Sequence, residues 1–217
     1  FFTGNYPTSF SRGELYNNDP VTRDARFCGT TASMCGIEKA GFCGDGEGMD
    51  QAIRLDEMLH AFMFIQSGIP VIYSGDEVGQ VNDYTYKEDP EKREDSRYIH
   101  RGKFCWDLEE KIDEPGTVQD RLFHALRKLE VLRARDAVFD SRVPFYMAQT
   151  GDISVLCLVR RGEKETAMGI FNFSRDARRI RVEDSSVPDT FTDMLSGEEK
   201  NIRDIALPGF GFFWLRA

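Results

Sequence analysis

The chain has 217 residues, of which 41% are hydrophobic and 30% are charged, as in an ordinary globular protein. This length predicts one compact unit with a smaller companion. The formal net charge of −9 argues against nucleic acid as a partner, because a phosphate backbone calls for a basic face. No apolar run approaches the roughly 20 residues that a membrane-spanning helix needs. The composition therefore predicts neither a nucleic-acid nor a membrane partner.

The cysteine pattern excludes two common classes of small protein. Five cysteines are spread along the chain without a Cys-x-x-Cys pair, namely Cys28, Cys35, Cys43, Cys105 and Cys157. This odd, scattered set favours reduced thiols over a disulfide framework or a zinc site. We therefore expect no metal and no cofactor, and a cytoplasmic protein. The chain opens at Phe1 without a signal-peptide pattern, which predicts a fragment or a processed product.

Residues 1–48 are rich in glycine, asparagine and proline and show little periodicity. This segment is predicted to be a long irregular excursion with a short helix near residues 30–39. Asp50 is the predicted N-cap of a second helix, whose apolar positions run to Ile65 and which we expect to be deeply buried. Gly68 and Pro70 then stop the helix.

The run 69–73 is short and continuously apolar, which is typical of a strand covered on both faces. Polar residues follow it, including Asp76 and Glu77, at the edge where α/β folds place their active sites. Adjacent residues of a strand point to opposite faces, so these two acids are not expected to converge on one bond. Their predicted role is to hold the loop by accepting from backbone donors; in the alternative, one of them supports catalytic carboxylates elsewhere.

Residues 80–116 form a charged, loop-like stretch, interpreted as solvated surface. Thr117 is the predicted cap of a further helix with an apolar stripe from Val118 to Leu132. His60 and His124 fall within helical patterns, and we expect them to be packed or surface groups. Both helices and the strand between them predict an α/β arrangement.

The pattern changes to period two or short apolar runs from about residue 143. Six strands are predicted, at 143–148, 154–159, 166–173, 178–182, 190–195 and 210–215, and they favour a small antiparallel sandwich with Trp214 in a core strand. Several arginines are expected on its exposed face: Arg160, Arg175, Arg178, Arg179 and Arg181. The expected domains are 1–48, 49–137 and 138–217, an α/β part followed by an all-β part.

The stretch Gly68-Ile-Pro-Val-Ile-Tyr-Ser-Gly-Asp-Glu-Val-Gly79 resembles the eighth barrel strand of the α-amylase family, glycoside hydrolase family thirteen. The later order also resembles that family, in which a small β-sandwich follows the last barrel helix. The resemblance implies the last part of a (β/α)8 barrel, with an inserted loop, helix seven, strand eight and helix eight, before a C-terminal sandwich.

Within that family, the closer resemblance is to amylosucrases and sucrose hydrolases. It is carried by Ser9-Phe-Ser-Arg-Gly13, Asn18-Asp-Pro20, Asp24-Ala-Arg26 and Gly29-Thr30, which resemble their inserted loop domain, and by Val81-Asn-Asp83 and 95–101, which resemble their eighth loop. The implied substrate is sucrose or an α-glucan. A starch-degrading relative is the alternative that the strand-eight motif equally allows.

The resemblance implies retaining catalysis, with one carboxylate as nucleophile and a second as acid/base. In the family these groups follow strands four and five, upstream of Phe1. We therefore carry no catalytic residue over to this chain and expect the chain alone to be inactive.

By the same resemblance, Arg97 pairs with an acid from an early barrel loop and closes the pocket behind the glucosyl ring. Such a role suits a guanidinium, which holds a carboxylate at two points. Arg26 matches an arginine that reaches the acceptor side of the pocket, with Arg23 as the alternative. Asp95 and His100 belong to the same eighth loop and are candidates for the pocket or its rim.

A different class of function also fits part of the sequence. The β-rich half alone is compatible with a non-catalytic carbohydrate-binding or structural module, although such a module has no use for a barrel strand and two helices. An incomplete barrel would leave strand edges and apolar surface uncovered, so we also expect self-association.

Overall fold

The computed structural model describes residues 1–217, and the chain divides into two compact units. The first unit comprises residues 1–56 and 72–124, and the second comprises residues 57–71 and 125–217. Two long helices, α3 and α5 below, contribute residues to both units. None of the helices combines the length and apolarity needed to cross a lipid bilayer.

The first unit opens with a β-hairpin inside the segment predicted to be irregular. Strand β1 (Glu14–Asp19) pairs antiparallel with β2 (Asp24–Cys28). The turn is built by Asp19, whose Oδ1 accepts from the backbone nitrogens of Val21 at 2.8 Å and Thr22 at 3.2 Å. The prediction of an irregular segment was wrong here, because Asp19 supplies the turn that joins two polar strands.

Two short helices follow the hairpin. Helix α1 (Thr31–Cys35) begins at the N-cap Thr30, whose side chain accepts from Ser33 N at 3.3 Å. Gly36, at φ +107°, ends α1, and α2 (Ile37–Cys43) starts directly after it. The predicted single helix at 30–39 is therefore two helices, broken where only glycine readily adopts the left-handed backbone.

Helix α3 (Gly46–Ile65) is the long buried helix, and it begins earlier than predicted. Asp45, not Asp50, accepts from the nitrogen of the first turn, with Gly48 N at 2.9 Å from Oδ1. Asp50 instead pairs with Arg121 at 2.5 Å. The prediction of deep burial is confirmed by several fully buried apolar side chains, among them Ile53, Met58, Ala61 and Ile65.

The segment 69–73 was predicted to be a buried strand, and this prediction was wrong. It forms no regular secondary structure, and Ile69 and Val71 are 89% and 74% exposed. A strand is held by hydrogen bonds to neighbouring strands, and no strand of the chain pairs with this segment. Its apolar side chains therefore remain in solvent.

Residues 80–116 are mostly loop, as predicted, with three short helical pieces. Turns of 3-10 helix cover Thr85–Glu88 and Ser96–His100, and α4 covers Trp106–Glu109. Helix α5 (Val118–Arg135) follows. The predicted cap Thr117 is confirmed, because its hydroxyl accepts from Asp120 N at 3.1 Å.

The second unit holds the β-rich part of the chain. Its strands are β3 (Phe145–Ala148), β4 (Val155–Arg161), β5 (Thr166–Asn172), β6 (Arg178–Ile180), β7 (Thr190–Asp193), β8 (Glu199–Asn201), β9 (Ile205–Leu207) and β10 (Phe212–Arg216). They form an antiparallel six-stranded sheet in the order β3-β4-β5-β10-β7-β8 and a two-stranded sheet of β6 and β9.

Both sheets of the second unit share one hydrophobic cluster. Strands β4 and β5 contribute Cys157 and Ile170, while β6 and β9 contribute Ile180 and Leu207. Trp214 of β10 is fully buried, as its core-like strand predicted. The six predicted strands are present with shifted ends, and β8 and β9 were not predicted because three residues carry too little periodicity to be recognised.

Arg160 was expected on an exposed face, and this expectation was wrong, since its side chain is 0% exposed. Its guanidinium donates to the carbonyls of Val138 at 2.9 Å, Ile65 at 3.0 Å and Asp140 at 2.6 Å. A buried cation is tolerated where all its donors find acceptors. Arg178 and Arg179, in contrast, form ion pairs with Asp152 and Asp204.

Candidate functional site

The candidate site lies in the first unit, where the β1–β2 hairpin meets the loop of residues 80–104. Asn82 fastens this loop: its Oδ1 accepts from Thr30 N at 2.9 Å, and its Nδ2 donates to Arg12 O at 2.8 Å. Its backbone nitrogen donates to Ser33 Oγ at 2.9 Å. The Asn82 side chain is buried, so little water competes for these hydrogen bonds. Asn82 therefore holds the loop against residues 12–33.

Ser96 joins the other end of this loop to the hairpin. Its hydroxyl donates to Leu15 O at 2.9 Å, and its carbonyl accepts from the thiol of Cys28 at 3.3 Å. Burial raises the pKa of this thiol. The motifs quoted above from the inserted segment and from the eighth loop thus contact one another.

Asp95 and Arg97, two of the predicted site residues, form an ion pair within this loop. Arg97 Nε and Nη2 lie 2.8 Å from Asp95 Oδ1 and Oδ2 respectively. Asp95 Oδ1 also caps the turn Ser96–His100 by accepting from Arg97 N at 3.1 Å. These hydrogen bonds lower the pKa of Asp95 and raise that of Arg97. The resemblance implied an acid from another loop as the partner of Arg97; in this structure its carboxylate partner is Asp95.

Arg26 lies on β2 and shares a neighbour with Arg97. A hydrogen bond with Tyr16, followed by one with Asp24, raises the pKa of Arg26. The guanidinium carbon of Arg97 lies 5.9 Å from the centre of the Tyr16 ring. Arg23, the alternative to Arg26, instead occupies the hairpin turn with φ +57°. Arg26 and Arg97, far apart in the sequence, thus share Tyr16 as a neighbour.

A cavity of about 600 Å³ adjoins this tyrosine, lined by β1 and by residues 93–97. Glu14 lines its wall and accepts hydrogen bonds from the Tyr86 hydroxyl and the Lys87 ammonium group. Desolvation, and then the bond to Glu14, raise the pKa of Tyr86. The cavity is therefore lined by charged and hydroxyl groups that can form hydrogen bonds with a polar ligand.

Three members of this cluster were not predicted from the sequence: Glu14, Tyr16 and Tyr86. Each is separated from Arg97 by at least ten residues, and their approach depends on the hairpin, which was not predicted. The one signal available was the turn-forming Asp19-Pro20 between two polar runs.

Asp76 and Glu77 lie on a 3-10 turn, Asp76–Val78, rather than on a strand. The flanking Gly75 and Gly79 have φ of +100° and +62°, which bends the chain sharply here. Glu77 Oε2 accepts from Gly75 N at 2.8 Å, as the loop-holding interpretation predicts. The two side chains were predicted to point to opposite faces of a strand, and this prediction was wrong because no strand forms here. Asp76 is buried.

His100 is half-buried, with its Nδ1 enclosed and without a hydrogen-bond partner. Its ring packs edge-on against Tyr73, with centroids 5.8 Å apart. Desolvation, and then the charge of Arg101, lower the pKa of His100. Of the other histidines, His60 is buried and His124 is exposed beside Asp120, as expected of packed and surface groups.

Comparison with known proteins supplies a second line of evidence. No protein-family model matches the chain. A cyclomaltodextrinase of Geobacillus thermopakistaniensis (strain MAS1) is 26% identical over 164 residues, which are 74% of this chain and 25% of that protein. The chain thus spans about a quarter of the length of this relative.

Solved structures show a similar fold. The maltogenic amylase from S. marinus matches 75% of this chain and 19% of its own, with 20% identity and a TM-score of 0.50. The trehalose-6-phosphate hydrolase of Bacillus licheniformis matches 75% of this chain and 38% of its own, with 16% identity and a TM-score of 0.58. These comparisons show that the chain shares the fold of these enzymes over about three quarters of its length, and none of the three is an amylosucrase or a sucrose hydrolase.

Proposed function

We propose that this chain is the C-terminal part of a retaining glycosidase that acts on α-glucosidic bonds in α-glucans. The names of two relatives, cyclomaltodextrinase and maltogenic amylase, support an α-glucan as the substrate. In this proposal the nucleophile and the acid/base belong to a preceding part of the protein, and the chain alone is inactive. The chain supplies loops that bind sugar, followed by the C-terminal sheets.

One observation carries the assignment of the site: Arg97 and Tyr16 line the same cavity, with the guanidinium carbon 5.9 Å from the centre of the ring. Tyr16 also raises the pKa of Arg26 on the neighbouring strand. Arg97 uses Nε and Nη2 to hold Asp95, which leaves N–H donors on Nη1 for a ligand. A guanidinium held in this way is pre-organised, so little side-chain entropy is lost when it donates to a sugar hydroxyl. Arg97 and Arg26 thus bind substrate in this proposal, while Asp95 orients Arg97.

The remaining predicted residues have supporting roles. Glu77 holds the turn that follows the apolar segment, and Asp76 is enclosed beneath it. His100, in its neutral form, lies at the rim beside Tyr73. A cytoplasmic setting is part of the proposal, since the five cysteines are unpaired thiols.

The test is an assay of the complete protein with maltodextrin, cyclomaltodextrin and sucrose. We expect release of sugar from the glucans with retention of anomeric configuration, measured by nuclear magnetic resonance. Cleavage of sucrose, by glucosyl transfer or by hydrolysis, would support the closer resemblance to amylosucrases and sucrose hydrolases, which includes Arg26 and Arg97. Binding of glucan without any turnover would instead favour the non-catalytic carbohydrate-binding module. Absence of both binding and turnover would refute the proposal.

A further inference from the structure

An exposed aromatic pair lies outside the cavity, on the segment that leads into α4. The side chain of Trp106 is 70% exposed, although tryptophan is usually mostly covered. Phe104 packs edge-on against it, with ring centroids 4.8 Å apart and an interplanar angle of 65°. The indole of Trp106 is therefore in contact with Phe104 and otherwise largely exposed to solvent.

The backbone that carries this pair is held in place by a single side chain. The amide of Gln80 donates to Lys103 O at 2.9 Å and accepts from Cys105 N at 2.9 Å. Gln80 N in turn donates to Gly75 O at 2.9 Å. The exposed ring is thus presented from a fixed loop rather than from a freely moving one, which lowers the entropy lost when a ligand stacks on it.

The short helix α4, which begins at Trp106, lies in a segment rich in acidic residues. Asp107, Glu109 and Glu110 are exposed acceptors in the same segment. The indole itself adds an N–H donor at the edge of the ring. A pyranose ring has an apolar face of C–H groups and a rim of hydroxyls, so an exposed aromatic ring on a segment rich in carboxylates has chemistry that suits both parts of it.

We propose that Trp106 is a carbohydrate-stacking platform that binds a glucosyl unit of an α-glucan outside the cavity near Arg97. The choice of an α-glucan rests on the proposed function. Phe42 provides the contrast: it is 92% exposed, but Glu38 is the single acidic residue on its helix.

Fluorescence can test this directly, because the chain has two tryptophans and Trp214 is fully buried. Titration of the 217-residue chain with maltoheptaose is expected to change the emission of Trp106, whereas Trp106→Phe should respond to no addition. In amylopectin gels, Trp106→Ala should weaken retardation by about tenfold, the scale of one lost aromatic contact surface. Phe42→Ala is the matched control and should migrate like the parent chain.

The proposal that Trp106 binds glucan would be refuted if maltoheptaose left the tryptophan emission unchanged. It would also be refuted if Trp106→Ala and the parent chain were retarded equally. An equal response to cellohexaose would overturn its selectivity for α-linked glucan. These outcomes differ from failure of the proposed function. If the complete protein hydrolyses no glucan but maltoheptaose still perturbs Trp106, the platform stands and the catalytic proposal falls.

Discussion

Arg97 holds Asp95 through two hydrogen bonds, Nε to Oδ1 and Nη2 to Oδ2, each 2.8 Å long. The chain repeats this arrangement at Asp140-Ser141-Arg142, where the corresponding distances are both 2.9 Å. The two pairs have the same sequence spacing and geometry but occupy different units. Arg142 is therefore a matched control for Arg97.

The proposed role of Arg97 predicts that its substitution lowers the activity of the complete enzyme, whereas the same substitution of Arg142 does not. In the complete enzyme, Arg97→Lys should lower kcat/KM by roughly 100-fold, because a lysine cannot hold Asp95 at two points and the sugar is misplaced. Arg142→Lys should leave kcat/KM unchanged. Both pairs are solvent-exposed, so neither variant should lose thermal stability. Equal activity of the two variants would remove Arg97 from the site.

Asn82 should matter for stability through the bonds that fasten the loop. Asn82→Leu leaves Thr30 N and Arg12 O without their partner, which should lower the free energy of unfolding by about 2–4 kcal/mol. Urea denaturation followed by circular dichroism measures this change. Asn201→Ala removes one hydrogen bond at an exposed position, to Arg203 N, and should change stability by less than about 1 kcal/mol. Similar losses in the two variants would contradict this reading of Asn82.

The buried guanidinium of Arg160 should be costly to remove. Arg160→Met leaves the carbonyls of Ile65 and Val138 without this donor, while Asp140 O keeps the bond from Val143 N. We expect the free energy of unfolding to fall by about 3 kcal/mol or more, and Arg160→Lys to lie between this variant and the parent. Arg161→Met, at the neighbouring exposed position, should stay within about 0.5 kcal/mol. If Arg160→Met and the parent chain had the same unfolding curve, the hydrogen bonds of Arg160 would make no net contribution to the free energy of unfolding.

His100 predicts a pH dependence of stability. Desolvation lowers its pKa below the ordinary 6.5, so the unfolded chain binds a proton at a higher pH than the folded chain does. Stability should therefore fall as the pH drops through about 6.5 and below. His100→Gln should reduce this slope, whereas His124→Gln, at an exposed position, should preserve it. Chemical denaturation at a series of pH values from 7.5 to about 5 checks the slopes; a parent slope retained by His100→Gln would refute the assignment.

The exposed apolar segment predicts self-association of the isolated chain. Ile69 and Val71 are 89% and 74% exposed, and apolar surface of this kind favours association. Light scattering should show oligomers, and the pair of substitutions Ile69→Lys and Val71→Lys should reduce them. Ile153→Lys, at an equally exposed but solitary position, serves as the control. A monodisperse parent chain that binds no dye for apolar surface would contradict this expectation.

Local signals were enough to predict several elements. Thr117 starts α5 because a hydroxyl three residues before Asp120 N is itself sufficient to cap a helix. Trp214 was placed in a buried strand from the apolar residues around it. The end of α3 was equally predictable, since Gly68 adopts φ +106° directly before Ile69-Pro70.

Elements that depend on a distant partner were not predictable in this way. The run 69–73 has the composition of a buried strand, but a strand exists only where another one supplies its hydrogen bonds. Asp50 has the chemistry of a cap, but it lies opposite Arg121 and Asp45 takes its place.

The same distinction between local signals and distant contacts applies to the candidate site. The sequence by itself placed Asp95, Arg97 and His100 in one loop, but it did not predict that Asp95 is the partner of Arg97. Only the tertiary structure decided that Arg26 and Arg97 meet at Tyr16 and that Arg160 is buried. A contact between residues far apart in the chain forms only when many interactions together offset the entropy lost in closing the loop between them. A short sequence motif contains only a few of those interactions, so it cannot predict the contact.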